Sequence, residues 1–123
     1  MARSPLRGEI WFLRFPTDLP DKADRPVVVV SLDARNKHPR ATTVLVAPLT
    51  GSVEKELDTH LRLPPGETGL QASSVRCEDV TVVRKESLLQ PRQPLRTLSN
   101  TRVCQIADLV RVAMGCPPKT LPA

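Results

Sequence analysis

The chain has 123 residues, enough for one domain, with 18 Lys and Arg against 13 Asp and Glu, so its formal net charge is +5. No run approaches the ~18 apolar residues of a membrane span, and the basic N-terminus has no apolar stretch behind it. We therefore expect a single cytoplasmic domain over residues 1–123, with no membrane partner. Three cysteines without CxxC spacing predict reduced thiols.

The net charge lies in the last third of the chain. Residues 84–123 hold seven basic and two acidic side chains, while the two signs balance over residues 1–83. A basic surface attracts polyanions. A solvated, Arg-rich surface would have the same composition, so charge alone leaves both interpretations open.

Short apolar runs bounded by turn residues predict a mainly β protein. Four consecutive valines in residues 26–31 indicate a strand buried on both faces. A nine-residue loop, 16–24, precedes it, and such long loops are often functional. Turns are predicted at 35–40 and 64–67. The predicted strands cover residues 8–15, 26–31, 42–47 (closed by Pro48), 60–63, 74–77, 80–83 and 95–98. Residues 74–77 and 80–83 are either two short strands or one kinked strand.

The end of the chain changes to a helical period. Ser99 is a good N-cap, Gly115 stands at a C′ position, and Pro117 prevents continuation. The apolar residues between them follow i, i+3, i+4, i+7 spacing: Val103, Ile106, Ala107, Val110, Ala113 and Met114. We predict a small barrel of five to seven strands, because closure removes exposed edges, with one C-terminal amphipathic helix.

The motifs of common enzyme classes are missing. The sequence has no Gly-rich phosphate loop, no HExxH and no GxSxG, and its two histidines, His38 and His60, lie 22 residues apart without a cysteine cluster. We therefore expect no metal and no cofactor. His60 is expected to be structural, and Cys77 to lie in the core.

Four residues form a sparser constellation: Arg25, Thr50, Arg76 and Glu78. Two guanidinium groups, a hydroxyl and a carboxylate suffice to cleave a phosphodiester without metal, because Arg stabilises phosphorane charge and the carboxylate moves a proton. Arg76 and Glu78 are expected to alternate on one strand, so that both side chains face the same way. Singly, each residue is equally consistent with a surface ion pair or a turn.

Several segments resemble the MazF/PemK (Kid) toxins over about residues 6–115, in the order and at the spacing of that family. Residues 116–123 are expected to form a short tail. The matching segments are Arg7-Gly8-Glu9-Ile10-Trp11, Arg25-Pro26 to Ser31, Asp33-Ala34 with Asn36, Val44 to Thr50, His60 to Leu63, Gly69-Leu70, and Ser74 to Glu78.

The resemblance implies a metal-independent endoribonuclease, an mRNA interferase of a type II toxin–antitoxin system, with an SH3-like barrel of the CcdB/PemK type. It implies that cleavage leaves a 2′,3′-cyclic phosphate and a 5′-hydroxyl, and that the catalytic residues are Arg25, Thr50, Arg76 and Glu78. The PemK/Kid branch has Asp where this chain has Glu78. That branch also has a His in the first long loop, which this loop lacks.

The resemblance further implies a homodimer, single-stranded RNA as substrate, and a MazE-like antitoxin with an acidic tail as partner. We predict RNA contacts for Trp11, Phe15, His38 and Ser74, since exposed aromatic rings stack on unpaired bases. Two other functions remain open. One is a CcdB-like poison that binds gyrase; the other is a barrel that binds RNA without cleaving it.

Overall fold

The computed structural model describes residues 4–13, 24–51, 57–89 and 96–116. Phe15 and residues 16–23 of the predicted loop lie outside them. The strands are β1 (Ile10–Leu13), β2 (Arg25–Val29), β3 (Thr43–Thr50), β4 (His60–Leu63), β5 (Ser73–Arg76), β6 (Thr81–Arg84) and β7 (Leu88–Leu89). The helices are the single turns α1 (Asp33–Asn36) and α2 (Pro65–Thr68), and the longer α3 (Asn100–Ala113).

These strands form one antiparallel sheet in the order β4-β5-β3-β2-β1-β7, with β6 also paired to β3. The long strand β3 joins the part of the sheet formed by β1, β2, β6 and β7 to the part formed by β4 and β5. Its first half pairs with β6 and its last two residues pair with β5, while β2 lies along the opposite edge. Together with α3, this sheet confirms the predicted mainly β fold with a C-terminal helix.

The valines of β2 are buried on both faces of the sheet, as their sequence predicts. Val28 packs into one apolar cluster with Ile10 and Leu63. Val27 and Val29 pack into a second cluster with Trp11. Alternate residues of a strand point to opposite faces, so an unbroken run of valines supplies both clusters at once.

Helix α3 begins and ends where its capping residues predict. The Ser99 side chain accepts a hydrogen bond from the backbone N–H of Arg102, and Gly115 has a positive φ of 89°. Val103 and Ile106 are buried in the first cluster, on the face of the helix turned to the sheet. None of the described helices is long and apolar enough to cross a bilayer.

The sequence suggested that Pro48 ends its strand, but β3 continues past Pro48 to Thr50. The Val30 N–H donates to the Leu45 carbonyl oxygen at 2.9 Å, and hydrogen-bonded pairs alternate along an antiparallel ladder. Pro48, opposite Val27, therefore stands at a position whose N–H would point away from β2. On that side β3 passes from β6 to β5, so the missing donor leaves no ladder bond unmade.

The structure differs from the sequence-based expectation in three other respects. Residues 96–98 form no strand, although the Leu98 N–H donates to the Gly8 carbonyl oxygen. The short elements α1 and β7 were not predicted, because four and two residues are too few to show a period. The third difference, at the end of β5, changes the candidate site.

Candidate functional site

A pocket of about 540 Å³ opens where β2 begins and where β3 and β5 end. Three of the four predicted catalytic residues line it: Arg25, Thr50 and Arg76. Asp24 and Asp79 also line it. With Thr81, which lines it as well, the pocket combines two guanidinium groups, two hydroxyl groups and two carboxyl groups.

Strand register brings these distant residues together. Val27 pairs with Pro48 across β2 and β3, and continuing this register by two residues puts Arg25 opposite Thr50. That is a non-hydrogen-bonded position, where side chains of facing residues approach most closely. Across the next pairing, Thr50 faces Ser74, and Arg76 follows two residues later on the same face of β5. A one-residue slip would turn each of these side chains to the opposite face.

The acid nearest Arg76 in the pocket is Asp79. Strand β5 ends at Arg76, and Cys77–Asp79 form a 3₁₀ turn. The expectation that Arg76 and Glu78 alternate on one strand was therefore wrong. The turn brings Asp79 Oδ2 to 2.9 Å from Arg76 Nη2, an i,i+3 ion pair in which both side chains are nearly half exposed. An Arg and an Asp three positions apart can pair across one helical turn, so the sequence already contained a signal for this contact.

Glu78 lies behind Arg76, outside the lining of the pocket. Its Oε1 accepts a hydrogen bond from Thr59 Oγ1 at 2.9 Å, and its Oε2 is 2.9 Å from His60 Nε2 and 3.8 Å from Arg76 Nε. Partial burial by itself would raise the pKa of Glu78. Hydrogen bonds from its own backbone N–H, His60 and Thr59 outweigh burial and hold that pKa below its ordinary value.

The thiol between Arg76 and Glu78 points into the core, as predicted. Cys77 has no exposed surface and packs in the first cluster. Burial, together with the charge of Glu78, raises the pKa of the Cys77 thiol to about 12. The thiol therefore stays protonated and is no nucleophile at neutral pH. Cys104 and Cys116 are exposed free thiols.

The predicted RNA-contacting residues are dispersed. Trp11 is 4% exposed, and its Nε1–H donates to Glu9 Oε1 at 3.2 Å. Ser74 has no exposed surface. His38 is exposed in the turn after α1, near the Thr43 end of β3, and its carbonyl oxygen accepts from Lys85 Nζ. None of these three lines the pocket formed by Arg25, Thr50 and Arg76, called here the Arg25 pocket. Phe15 lies outside the described residues.

Metal ligands are not grouped in the part of the chain that the structure describes: no three His, Cys, Asp or Glu side chains come together there. The charged groups of the pocket are instead guanidinium and carboxylate. Guanidinium and hydroxyl groups that line one pocket can bind an oxyanion such as a phosphate. The adjacent carboxylates provide a means of accepting a proton.

A model of the PemK-like, MazF-like toxins of type II toxin–antitoxin systems matches residues 6–114. The match spans every described strand and α3. A comparison with curated protein sequences gives no significant match.

Several solved structures share the fold. One is an endoribonuclease in complex with its cognate antitoxin from a mycobacterial species, with a TM-score of 0.69 and 22% identity over 94% of this chain and 98% of that chain. Another is the Mycobacterium tuberculosis toxin MazF-mt6, with a TM-score of 0.68 and 22% identity over 88% and 97% of the two chains. The MazE-MazF complex from Deinococcus radiodurans has a TM-score of 0.71 and 17% identity over 94% and 99%.

Proposed function

Because this chain belongs to the PemK-like, MazF-like toxins of type II toxin–antitoxin systems, we propose that it is an endoribonuclease that cleaves single-stranded RNA. The observation that carries the proposal is the Arg25 pocket, in which Arg25, Thr50 and Arg76 converge. The fold neighbours include proteins named endoribonuclease, which supports the same reaction. In this proposal the toxin acts on mRNA in the cytoplasm, which inhibits translation and growth.

The proposed reaction is an attack of the RNA 2′-oxygen on the adjacent phosphorus. The P–O2′ bond forms, the P–O5′ bond breaks, and the products are a 2′,3′-cyclic phosphate and a 5′-hydroxyl. Arg25 and Arg76 stabilise the charge that develops on the phosphorane, and the Thr50 hydroxyl donates to a phosphate oxygen. The 2′-hydroxyl proton passes to a carboxylate, and the carboxylic acid so formed returns a proton to the departing 5′-oxygen.

Two neighbouring carboxylates are candidates for the proton acceptor. The resemblance implies Glu78, whose hydrogen bonds favour its ionised form. Asp79 lines the pocket and is more exposed than Glu78, with 42% against 22% of the side chain accessible. A substrate reaches Asp79 without rearrangement, whereas Glu78 acts either through Arg76 or after a shift of the turn.

The proposal includes a homodimer and a cognate antitoxin. An apolar groove of about 590 Å³ lies between α3 and the sheet, with exposed Leu45 and Val82 among its lining residues. Contiguous apolar surface of this kind is typical of protein–protein contacts, which supports association. The solved complexes of fold neighbours with antitoxins support the second partner. An antitoxin with an acidic segment would offer carboxylates to the arginines of the pocket.

The deciding experiment is incubation of the purified protein with a long single-stranded RNA, with and without EDTA, followed by primer extension and end-group analysis. We expect cleavage at a short motif, persistence in EDTA, and 5′-hydroxyl ends. If chelation abolishes cleavage and Mg²⁺ or Mn²⁺ restores it, the proposed mechanism is wrong. If RNA is retarded but stays intact, the protein is a binding barrel. If RNA is neither bound nor cut, a gyrase assay tests the remaining alternative.

A further inference from the structure

His60 stands at the start of β4 with its side chain only 6% exposed. The β4–β5 register pairs His60 directly with Arg76. Its Nε2 is 2.9 Å from Glu78 Oε2. A nearly buried imidazole is therefore fixed behind the arginine of the pocket, in contact with the carboxylate beside that arginine.

The second ring nitrogen determines the tautomer of the neutral ring. His60 Nδ1 accepts a hydrogen bond from the backbone N–H of Leu57 at 3.2 Å. A nitrogen that accepts from an N–H carries no proton of its own, so the proton of the neutral imidazole is on Nε2. His60 Nε2 therefore donates to Glu78, and the backbone at Leu57 keeps the ring in that orientation.

Glu78 is held at both oxygens. Thr59 Oγ1 donates to Oε1, while His60 Nε2 donates to Oε2, which also lies 3.8 Å from Arg76 Nε. On the far side of Arg76, Nη2 pairs with Asp79 at 2.9 Å. The guanidinium thus lies between one anchored carboxylate and one pocket carboxylate, which restricts a side chain that otherwise has many rotamers.

We propose that His60 is a positioning residue of this toxin: by donating to Glu78 it fixes that carboxylate, and through it the Arg76 guanidinium, at the pocket before RNA binds. The inference rests on the proposed function for its effect on cleavage, but not for its effect on Arg76. Preorganised charge needs no rearrangement when the phosphorane forms, so the benefit appears in the transition state. The His60 ring itself does not touch RNA.

The first test compares His60→Ala with His60→Gln, using Thr101→Ala as a control at an exposed position of α3 that does not line the pocket. We expect His60→Ala to lower kcat by up to about 10²-fold with little change in KM, because a misplaced group costs rate rather than binding. Gln keeps an N–H donor for Glu78, so His60→Gln should retain most of the rate. Thr101→Ala should keep the wild-type kcat. Equal losses in both His60 variants would overturn the proposal.

The pH profile adds a readout that a purely structural role would not move. The titratable groups around Glu78 are His60 on β4, Arg76 on β5, and Cys77 and Asp79 in the 3₁₀ turn. Removing the His60 donor disfavours the ionised carboxylate, which raises the pKa of Glu78. The acidic limb of kcat should therefore move to higher pH in His60→Ala, and also in Thr59→Val. An unchanged limb in both variants contradicts the proposal.

Two measurements on RNA-free protein separate this proposal from the proposed function. Ring ¹⁵N shifts should show Nε2 protonated in the neutral His60 ring, and relaxation of the Arg76 Nε–H should show an ordered side chain that becomes mobile in His60→Ala. A protonated Nδ1, or an Arg76 equally mobile in both proteins, overturns the positioning role. If these measurements succeed but wild-type protein cuts no RNA, the nuclease function fails and the positioning of Arg76 stands.

Discussion

The two ends of β3 carry similar charges but differ in how those charges are arranged. At the Thr50 end, Arg25, Thr50 and Arg76 share one pocket. At the Thr43 end, Arg84 and Lys85 line a cavity of about 520 Å³, close in volume to the 540 Å³ of the Arg25 pocket. The eight residues of β3 separate the two ends by roughly 23 Å along the strand.

Neither cavity volume nor positive charge distinguishes the two ends. At the Thr43 end, Arg84 and Glu86 form an ion pair at 3.3 Å with both side chains 75% exposed, which contributes little. Lys85 donates to a backbone carbonyl oxygen of the turn that holds His38. At the Thr50 end, Arg25, Thr50 and Arg76 line one space, and Asp79 holds Arg76 by an ion pair. Diffuse charge attracts a polyanion, whereas converging and fixed donors stabilise a transition state.

The largest expected effect comes from Arg25→Ala at the pocket, compared with Arg40→Ala near the other end. Losing a donor that acts on transition-state charge costs about 2.7–4 kcal/mol, or roughly 10²–10³ in kcat. Arg40→Ala should change kcat little. The check is single-turnover cleavage of one oligonucleotide by both variants. Equal losses would reduce Arg25 to generic attraction and remove the distinction between the two ends.

The neighbouring carboxylates should give the next largest effect. Replacing the true proton acceptor by its amide should cost about 10²-fold in kcat while RNA binding persists. Asp79→Asn and Glu78→Gln are assayed side by side. Because Glu78 also positions Arg76, a loss in Glu78→Gln identifies Glu78 as the acceptor only if Asp79→Asn keeps the wild-type rate. If it is Glu78, then Glu78→Asp should keep part of the activity.

The dependence of kcat on pH in the same variants gives a second readout, namely the position of its acidic limb. The pKa of Glu78 is held below its ordinary value, so a limb controlled by Glu78 should lie below the range of an ordinary Glu and disappear in Glu78→Gln. Wild-type rates in both amide variants would exclude both residues as the acceptor and leave Arg25, Thr50 and Arg76.

The Thr43 end should have a smaller effect, on binding alone. Lys85→Ala removes one exposed cation, so RNA affinity should fall modestly at low salt. For single strands, each lost phosphate contact reduces the slope of log affinity against log salt by about 0.7. Titrations at several salt concentrations measure this slope. A change in kcat at saturating RNA would show that this end takes part in the chemistry.

Trp11→Phe should have the smallest effect on RNA. The buried ring packs in the second cluster, and the substitution loses the hydrogen bond to Glu9, worth about 0.5–1.5 kcal/mol of unfolding free energy. Denaturant unfolding measures that loss. KM should be unchanged if Trp11 supports the sheet. A raised KM with unchanged stability would favour the predicted base stacking instead.

The sequence was sufficient for the features that depend on local pattern. The valine run predicted a strand buried on both faces, and Ser99 with Gly115 predicted the limits of α3, because periods and caps are written in neighbouring residues. It also suggested Arg25, Thr50, Arg76 and Glu78 as one set. These residues are up to 53 positions apart, so side-chain chemistry and the resemblance to a family, rather than their spacing, linked them.

Only the tertiary structure decided which acid meets the pocket. The sequence shows Arg76, Glu78 and Asp79 within four residues, and a continuous strand would have put Glu78 beside Arg76. The three-residue 3₁₀ turn directs Asp79 into the pocket, while Glu78 forms hydrogen bonds with Thr59 and His60 instead. A turn of three residues is too short to show a periodic pattern of apolar residues in the sequence. Its side-chain directions depend on His60, the first residue of β4, and on Thr59 just before it, which lie 18 and 19 positions from Glu78 along the chain.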